Sequence, residues 1–266
     1  MTLLAFLFLG ASFLSLWVRR DPKIWGTLLG LSLLCRLAAG DIRWFGLFVV
    51  IVLLILWLMY HRKPNLALFI FLICIGGAFK MQLFPGYTPF FFTPKFAIWL
   101  EGSLVGFFPL AFLVPLARDR QDWALALKGL LFGCAGIAIL AILATFSGVA
   151  HWQFKLPSFV ITRTLSNFFL TSIPEEGFFR GFIQATLYKY FGNTKLGKTS
   201  ALLLTSILFT ATHVYWSPNL SILLFVFFAS LLYGGVYWIS GKIESSILCH
   251  FLLNFIHMTF FSYHAM

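Results

Sequence analysis

Residues 44–60 read WFGLFVVIVLLILWLMY, a run without a charge, an amide or a proline. Wound as a helix it is apolar on every side, so no face of it suits water. At about 1.5 Å of rise per residue it is long enough to cross most of the roughly 30 Å hydrocarbon core of a bilayer. Similar runs lie on both sides of it, so the chain offers ten candidate spans: 2–18, 24–39, 44–60, 66–83, 96–116, 123–146, 160–188, 200–216, 220–240 and 245–262. The gaps between them are too short to hold a soluble domain. Composition agrees: of 266 residues, 61% are hydrophobic and 10% charged, against about 45–50% and 25% in ordinary soluble domains. A soluble globular protein is excluded. The expected fold class is an all-α, polytopic transmembrane helical bundle of about ten spans, divided into N-terminal transmembrane helices over 1–157 and a helical core over 158–266.

The net charge of +11 would suggest a nucleic-acid partner in a soluble protein, but here the basic residues fall mostly in the gaps between apolar runs. The partner they indicate is the lipid bilayer, not nucleic acid. Alternate gaps hold Arg19, Arg20 and Lys23, then Arg62 and Lys63, then Arg118 and Arg120, then Lys189, Lys195 and Lys198, then Lys242. The intervening gaps hold Asp41 with Arg43, Lys95, Lys155, and no charge near Pro218. Cytoplasmic loops carry the excess of Lys and Arg, so the richer gaps are expected inside and both termini outside. The first run has no basic stretch before it and reads as an uncleaved helix. Cys35, Cys74, Cys134 and Cys249 sit in apolar segments without CxxC spacing, so neither a disulfide nor a zinc-thiolate site is expected.

Charges inside such runs are costly and are functional candidates by default. Arg36, Lys80, Glu101 and Lys128 lie within one or two turns of a helix end, where long side chains reach the interface. The pairs Gly76-Gly77 and Gly234-Gly235 are expected at close helix contacts, and the aromatic stretch 87–92 at the membrane surface. Residues 172–181, SIPEEGFFRG, are different, because two acids and an arginine sit near the middle of one long apolar run. Glu176 and Arg180, four apart, share a helical face and can pair; Glu175 is turned about 100° away. Pro174 removes a backbone donor and is expected to kink the helix, leaving the carbonyl near Leu170 in need of another donor. Two later runs add His213, and His250 with Asn254 and His257 on one stripe.

There is no Gly-x-Ser-x-Gly elbow, no Cys paired with a His in one polar patch, and no aspartate pair within the runs. A carboxylate with a histidine can take a proton from water, while a second histidine with an asparagine amide can donate to a tetrahedral oxyanion. The set therefore suits amide hydrolysis by a directly activated water. Three other readings stay open: zinc held by Glu175, His213 and His250, a structural ion pair locking helices together, and a small transporter or proton pathway. A transporter favours repeated halves, whereas here one polar cluster occupies one half.

On these residues the sequence resembles the CPBP family of membrane glutamic proteases, which includes the type II CAAX prenyl endopeptidase and bacteriocin-processing or immunity proteins. The family pattern is EExxxR, FxxxH and HxxxN on three membrane helices. Here it reads Glu175-Glu176 with Arg180, Phe209 with His213, and His250 with Asn254, and the intervals from Glu176 to His213 and from His213 to His250 are both 37 residues. The resemblance covers about 160–262; the first 155 residues resemble no family we can name. It implies that Glu175 activates water, that His213 positions or polarises that water, and that His250 and Asn254 bind the oxyanion. Glu176 and Arg180 would be the supporting ion pair. It implies no metal and no cofactor, and a membrane-associated protein or peptide as substrate. A non-catalytic immunity or maturation scaffold of the same fold is the alternative. The short, Phe-rich, nearly loopless chain suggests a multi-pass protein of a bacterial cytoplasmic membrane.

Overall fold

The computed structural model describes residues 1–94, 96–214, 217 and 219–262; Lys95 and Pro218, used above in the charge pattern, lie outside the described residues. The elements run α1 (Thr2–Val18), α2 (Pro22–Ala39), α3 (Trp44–Arg62), α4 (Leu66–Lys80), β1 (Phe90–Thr93), β2 (Phe96–Ile98), α5 (Gly102–Phe112) and α6 (Arg120–Phe146). There follow β3 (His151–Trp152), α7 (Val160–Ser166), a π-helical turn Asn167–Ser172, α8 (Ile173–Phe178), a second π-helical turn Phe179–Gln184 and α9 (Ala185–Phe191). The last described elements are α10 (Lys195–Ala211), α11 (Leu220–Ser240), α12 (Ile243–Phe260) and β4 (Phe261–Ser262). Helices α3, α6, α11 and α12 are long and apolar enough to cross a membrane, and α1, α4 and α5 are shorter apolar helices. The molecule is an integral membrane protein. In α3 the division of faces is explicit: Val50, Leu53, Trp57 and Tyr60 are buried, while Phe48, Ile51, Ile55 and Met59 are exposed, an apolar surface suited to lipid.

The residues cluster into two compact units, 1–116 with 173–178, and 117–172 with 179–266. In the first, α1 and α2 are clasped by buried hydroxyls: Ser12 Oγ donates to the Trp25 carbonyl at 2.9 Å and Ser32 Oγ to the Ala5 carbonyl at 2.8 Å. Asp21 caps α2, and Gly40, at φ 79°, ends it in the left-handed conformation that glycine tolerates. The guanidinium of Arg20 donates to the carbonyls of Leu110, Ala111 and Val114, satisfying orphan acceptors at the end of α5. Tyr87 donates to the Gly46 carbonyl at 2.7 Å, and burial, with the nearby Glu101 charge, pushes its phenol above the usual range.

In the second unit a stripe of small residues on α6 lets neighbouring helices approach. A Cβ on Gly129 would meet Ser240 and Ser245, one on Gly133 would meet Cys249, and one on Gly136 would meet Leu232. Thr194 caps α10 and Asn219 caps α11 through their side-chain oxygens. Glu244 accepts from the Ala117 amide at 2.7 Å, and Lys242 pairs with Asp122.

Several expectations need correction. The segment 96–116 is not one helix, because 90–98 forms a hairpin in which β1 pairs antiparallel with β2. The run Pro89-Phe90-Phe91-Phe92-Thr93-Pro94 combines prolines with strand-favouring residues, so the helix starts only at Gly102. The segment 200–216 starts at Lys195, since the Thr194 cap outweighs two lysines, and it stops at Ala211. His213 therefore lies in a turn past the helix rather than within it. Arg36 and Glu101 do not reach the interface: each is 2% exposed and they pair at 3.2 Å. Lys80 pairs with Glu175, whereas Lys128 is exposed as expected. Gly76 and Gly234 make close contacts, but Gly77 and Gly235 face open space.

Candidate active site

The two acids stand on α8, a six-residue α-helical piece between two π-helical turns. Pro174 offers no N–H to the turn before it, and the preceding turn is wound with the wider i→i+5 spacing. The expected kink thus takes the form of a change in helical type. Such π segments recur at functional sites. Within the first unit, α8 is seated by contacts that leave no room for side chains. A Cβ on Gly106 would overlap the Pro174 carbonyl, one on Gly177 would lie 2.7 Å from the Gly106 carbonyl oxygen, and one on Gly76 would strike the Phe178 ring. Glu175 is 6% exposed and Glu176 is fully buried. The Lys80 ammonium forms an ion pair with Glu175 Oε1, supplying a countercharge where burial of a carboxylate costs several kcal/mol.

The second unit holds Arg180, His213, His250 and Asn254. Arg180 is fully buried. Its Nη2 donates to both the carbonyl and the hydroxyl of Ser230, each at 2.7 Å, and its guanidinium lies 4.8 Å from the Phe209 ring and 5.3 Å from the Tyr233 ring. Four residues on, Gln184 Nε2 donates to the Gly234 carbonyl at 3.0 Å.

Phe209 explains why a histidine belongs four residues after it. Its carbonyl oxygen lies 2.8 Å from His213 Nδ1. A carbonyl only accepts, so Nδ1 carries the proton, and in the neutral ring Nε2 keeps its lone pair. The Phe209 ring also stacks on the His213 imidazole at 4.6 Å and presents its edge to His250 at 5.9 Å. His250 is buried and stacks on Tyr233 at 4.5 Å with an interplanar angle of 13°. One aromatic hub thus holds Arg180, His213 and His250 in a single unit.

Asn254 is oriented by a residue that sequence reasoning passed over. Asn167 Nδ2 donates to the Phe251 carbonyl at 3.1 Å, which fixes Asn167 Oδ1 as the acceptor for Asn254 Nδ2 at 3.0 Å. The amide assignment follows from the network, since the carbonyl cannot donate. One hydrogen of the Asn254 amide is thereby engaged and the other stays available. Asn167 had a signal, being an amide inside the apolar run 160–188. Ser230 and Tyr233 had little, being a small hydroxyl and an aromatic in a helix full of aromatics. Among the described residues, no three His, Cys, Asp or Glu side chains are grouped so as to hold a metal ion.

Residues 157–256 match the family model described as Type II CAAX prenyl endopeptidase Rce1-like. No curated protein and no solved structure matches the chain. The family match supports a membrane endopeptidase of the CAAX type, hence a peptide hydrolase. Glu175, Glu176, Arg180, His213, His250 and Asn254 all fall within the matched segment; Lys80 does not.

Proposed function

We infer that this chain, which carries an Rce1-like type II CAAX prenyl endopeptidase domain over residues 157–256, is a multi-pass membrane endopeptidase that cleaves a membrane-associated protein or peptide with a glutamate-activated water. Glu175 takes the proton of the attacking water as general base, and His213, its Nε2 lone pair kept by the Nδ1 bond to Phe209, positions that water. His250 and the remaining Asn254 N–H donate to the tetrahedral oxyanion. Glu176 and Arg180 support Glu175. The bond broken is the scissile C–N, the new bond is carbon to water oxygen, and the proton taken by Glu175 passes to the leaving amine. Residues 158–266 form the protease core, and residues 1–157 are N-terminal transmembrane helices. About ten spans, both termini outside, in a bacterial cytoplasmic membrane complete the reading.

The observation that carries it is the burial of Glu175, Glu176, Arg180 and His250 in apolar helices of a segment that matches a protease family. Ionisable groups kept at such cost mark function. The ion pair between Lys80 and Glu175 is what a purely structural role would also use, so a scaffold is the second reading. The deciding experiment compares peptide termini in membrane fractions from cells carrying the wild type or Glu175→Gln at equal abundance. A terminus present only with the wild type, and lost in His213→Ala and His250→Ala, is the expected result. No terminus that depends on the wild type, with the cellular phenotype kept by Glu175→Gln, would leave the scaffold.

A further inference from the structure

Glu175 belongs to the matched segment 157–256, but the cation paired with it, Lys80, comes from outside that segment. Within the first unit, α8 rests on N-terminal residues through the contacts of Gly76 with Phe178, Gly106 with Pro174, and Leu110 with Gly177. At the last turn of α4, Lys80 reaches Glu175 Oε1 with its ammonium. The preceding residue, Phe79, is 1% exposed, so the backbone that aims Lys80 is anchored. Two exposed partners would gain little from such a pair. Here the Glu175 side chain is only 7% exposed, so the Lys80 ammonium acts on a carboxylate that water screens little.

We propose that Lys80 is a positioning residue for the water-activating carboxylate, so that the N-terminal helices, and not the Rce1-like segment alone, complete the general base. The proposal rests on the reading of Glu175 as that base. An ammonium on Oε1 fixes the rotation of the carboxylate about its last bond, which leaves the other oxygen with a defined direction from which to take a proton. Misplacing a catalytic group by about 1 Å costs on the order of 100-fold in rate, so the orientation is worth holding.

The test uses the full-length protein in lipid vesicles with a synthetic peptide spanning the wild-type-dependent terminus. Lys80→Met is expected to lower kcat by about 10- to 100-fold with KM within about twofold of wild type, the pattern of a lost orientation rather than lost binding. Lys80→Arg, which keeps the charge, is expected to recover most of that loss. Unchanged kcat in Lys80→Met with a lowered unfolding temperature would make the pair a structural staple and overturn the proposal. If Lys80→Met does not fold, Lys80→Gln carries the same comparison, and failure of both to fold overturns the proposal too. Retained turnover in Glu175→Gln is a separate outcome, since it removes the base reading on which the proposal stands.

Discussion

Asn167 sits at the start of a π-helical turn and joins two polar demands: it gives its amide N–H to the Phe251 carbonyl and takes one from Asn254. Replacing it with alanine removes both bonds, each worth about 1 kcal/mol, and the longer one that Asn167 Oδ1 accepts from Ser172 Oγ at 3.4 Å. If Asn254 serves the oxyanion, kcat falls further than stability does. Asn167→Ala is therefore expected to lose about 1–2 kcal/mol of stability and about 10-fold or more in kcat, read by thermal unfolding in detergent and by peptide turnover. A loss confined to stability would make Asn167 a helix clasp only. The groups of the candidate site were legible at this scale because acids, histidines and amides stand out in apolar runs. Their partners were less so. Arg36, Lys80 and Glu101 lie near helix ends, which suggested the interface, but sequence distance from an end does not show which helix stands opposite. The buried Arg36–Glu101 pair and the Lys80–Glu175 pair are tertiary facts.

Helix α8 owes its seat to the absence of side chains. Gly106 meets the Pro174 backbone and Gly177 meets Gly106 and Leu110, so Gly106→Ala is expected to destabilise by about 1–3 kcal/mol through overpacking and to displace the acids. Gly235 in α11 faces open space, so Gly235→Ala is expected to be neutral or to stabilise by about 0.5–1 kcal/mol. Unfolding temperatures of the two variants in the same detergent check the contrast; equal shifts would contradict it. Element boundaries followed local chemistry wherever that was visible. Helix α11 has the expected bounds because Asn219 caps its start and Gly241, at φ 67°, ends it. Helix α10 starts at Lys195, ahead of the expected 200, because the Thr194 cap outweighs lysines that read as a gap, and the hairpin of β1 and β2 replaces a helical start because an aromatic run between prolines favours strand pairing. The π-helical turns around α8 had only Pro174 as a signal.

For the whole molecule, the alternation of basic gaps predicts an orientation that can be measured. In a chain freed of its four cysteines, Lys63→Cys and Lys155→Cys occupy exposed positions in two expected loops on opposite sides. An impermeant thiol reagent added to intact cells is expected to label Lys155→Cys and spare Lys63→Cys; the reverse pattern would invert the topology. Composition made the membrane legible, yet not the number of crossings, because short helices such as α5 are apolar without being long enough to span alone. The family likeness rested mainly on three spaced motifs, and the N-terminal half, which resembles no family we can name, supplies the lysine at the proposed base. The central claim is that Glu175 activates water. Its most direct test is the turnover of a synthetic peptide spanning the cleaved bond by purified full-length wild type and Glu175→Gln in lipid vesicles, at matched folding. The account predicts a fall in kcat of at least about 100-fold, the scale of a lost general base; turnover within about threefold of wild type would contradict it.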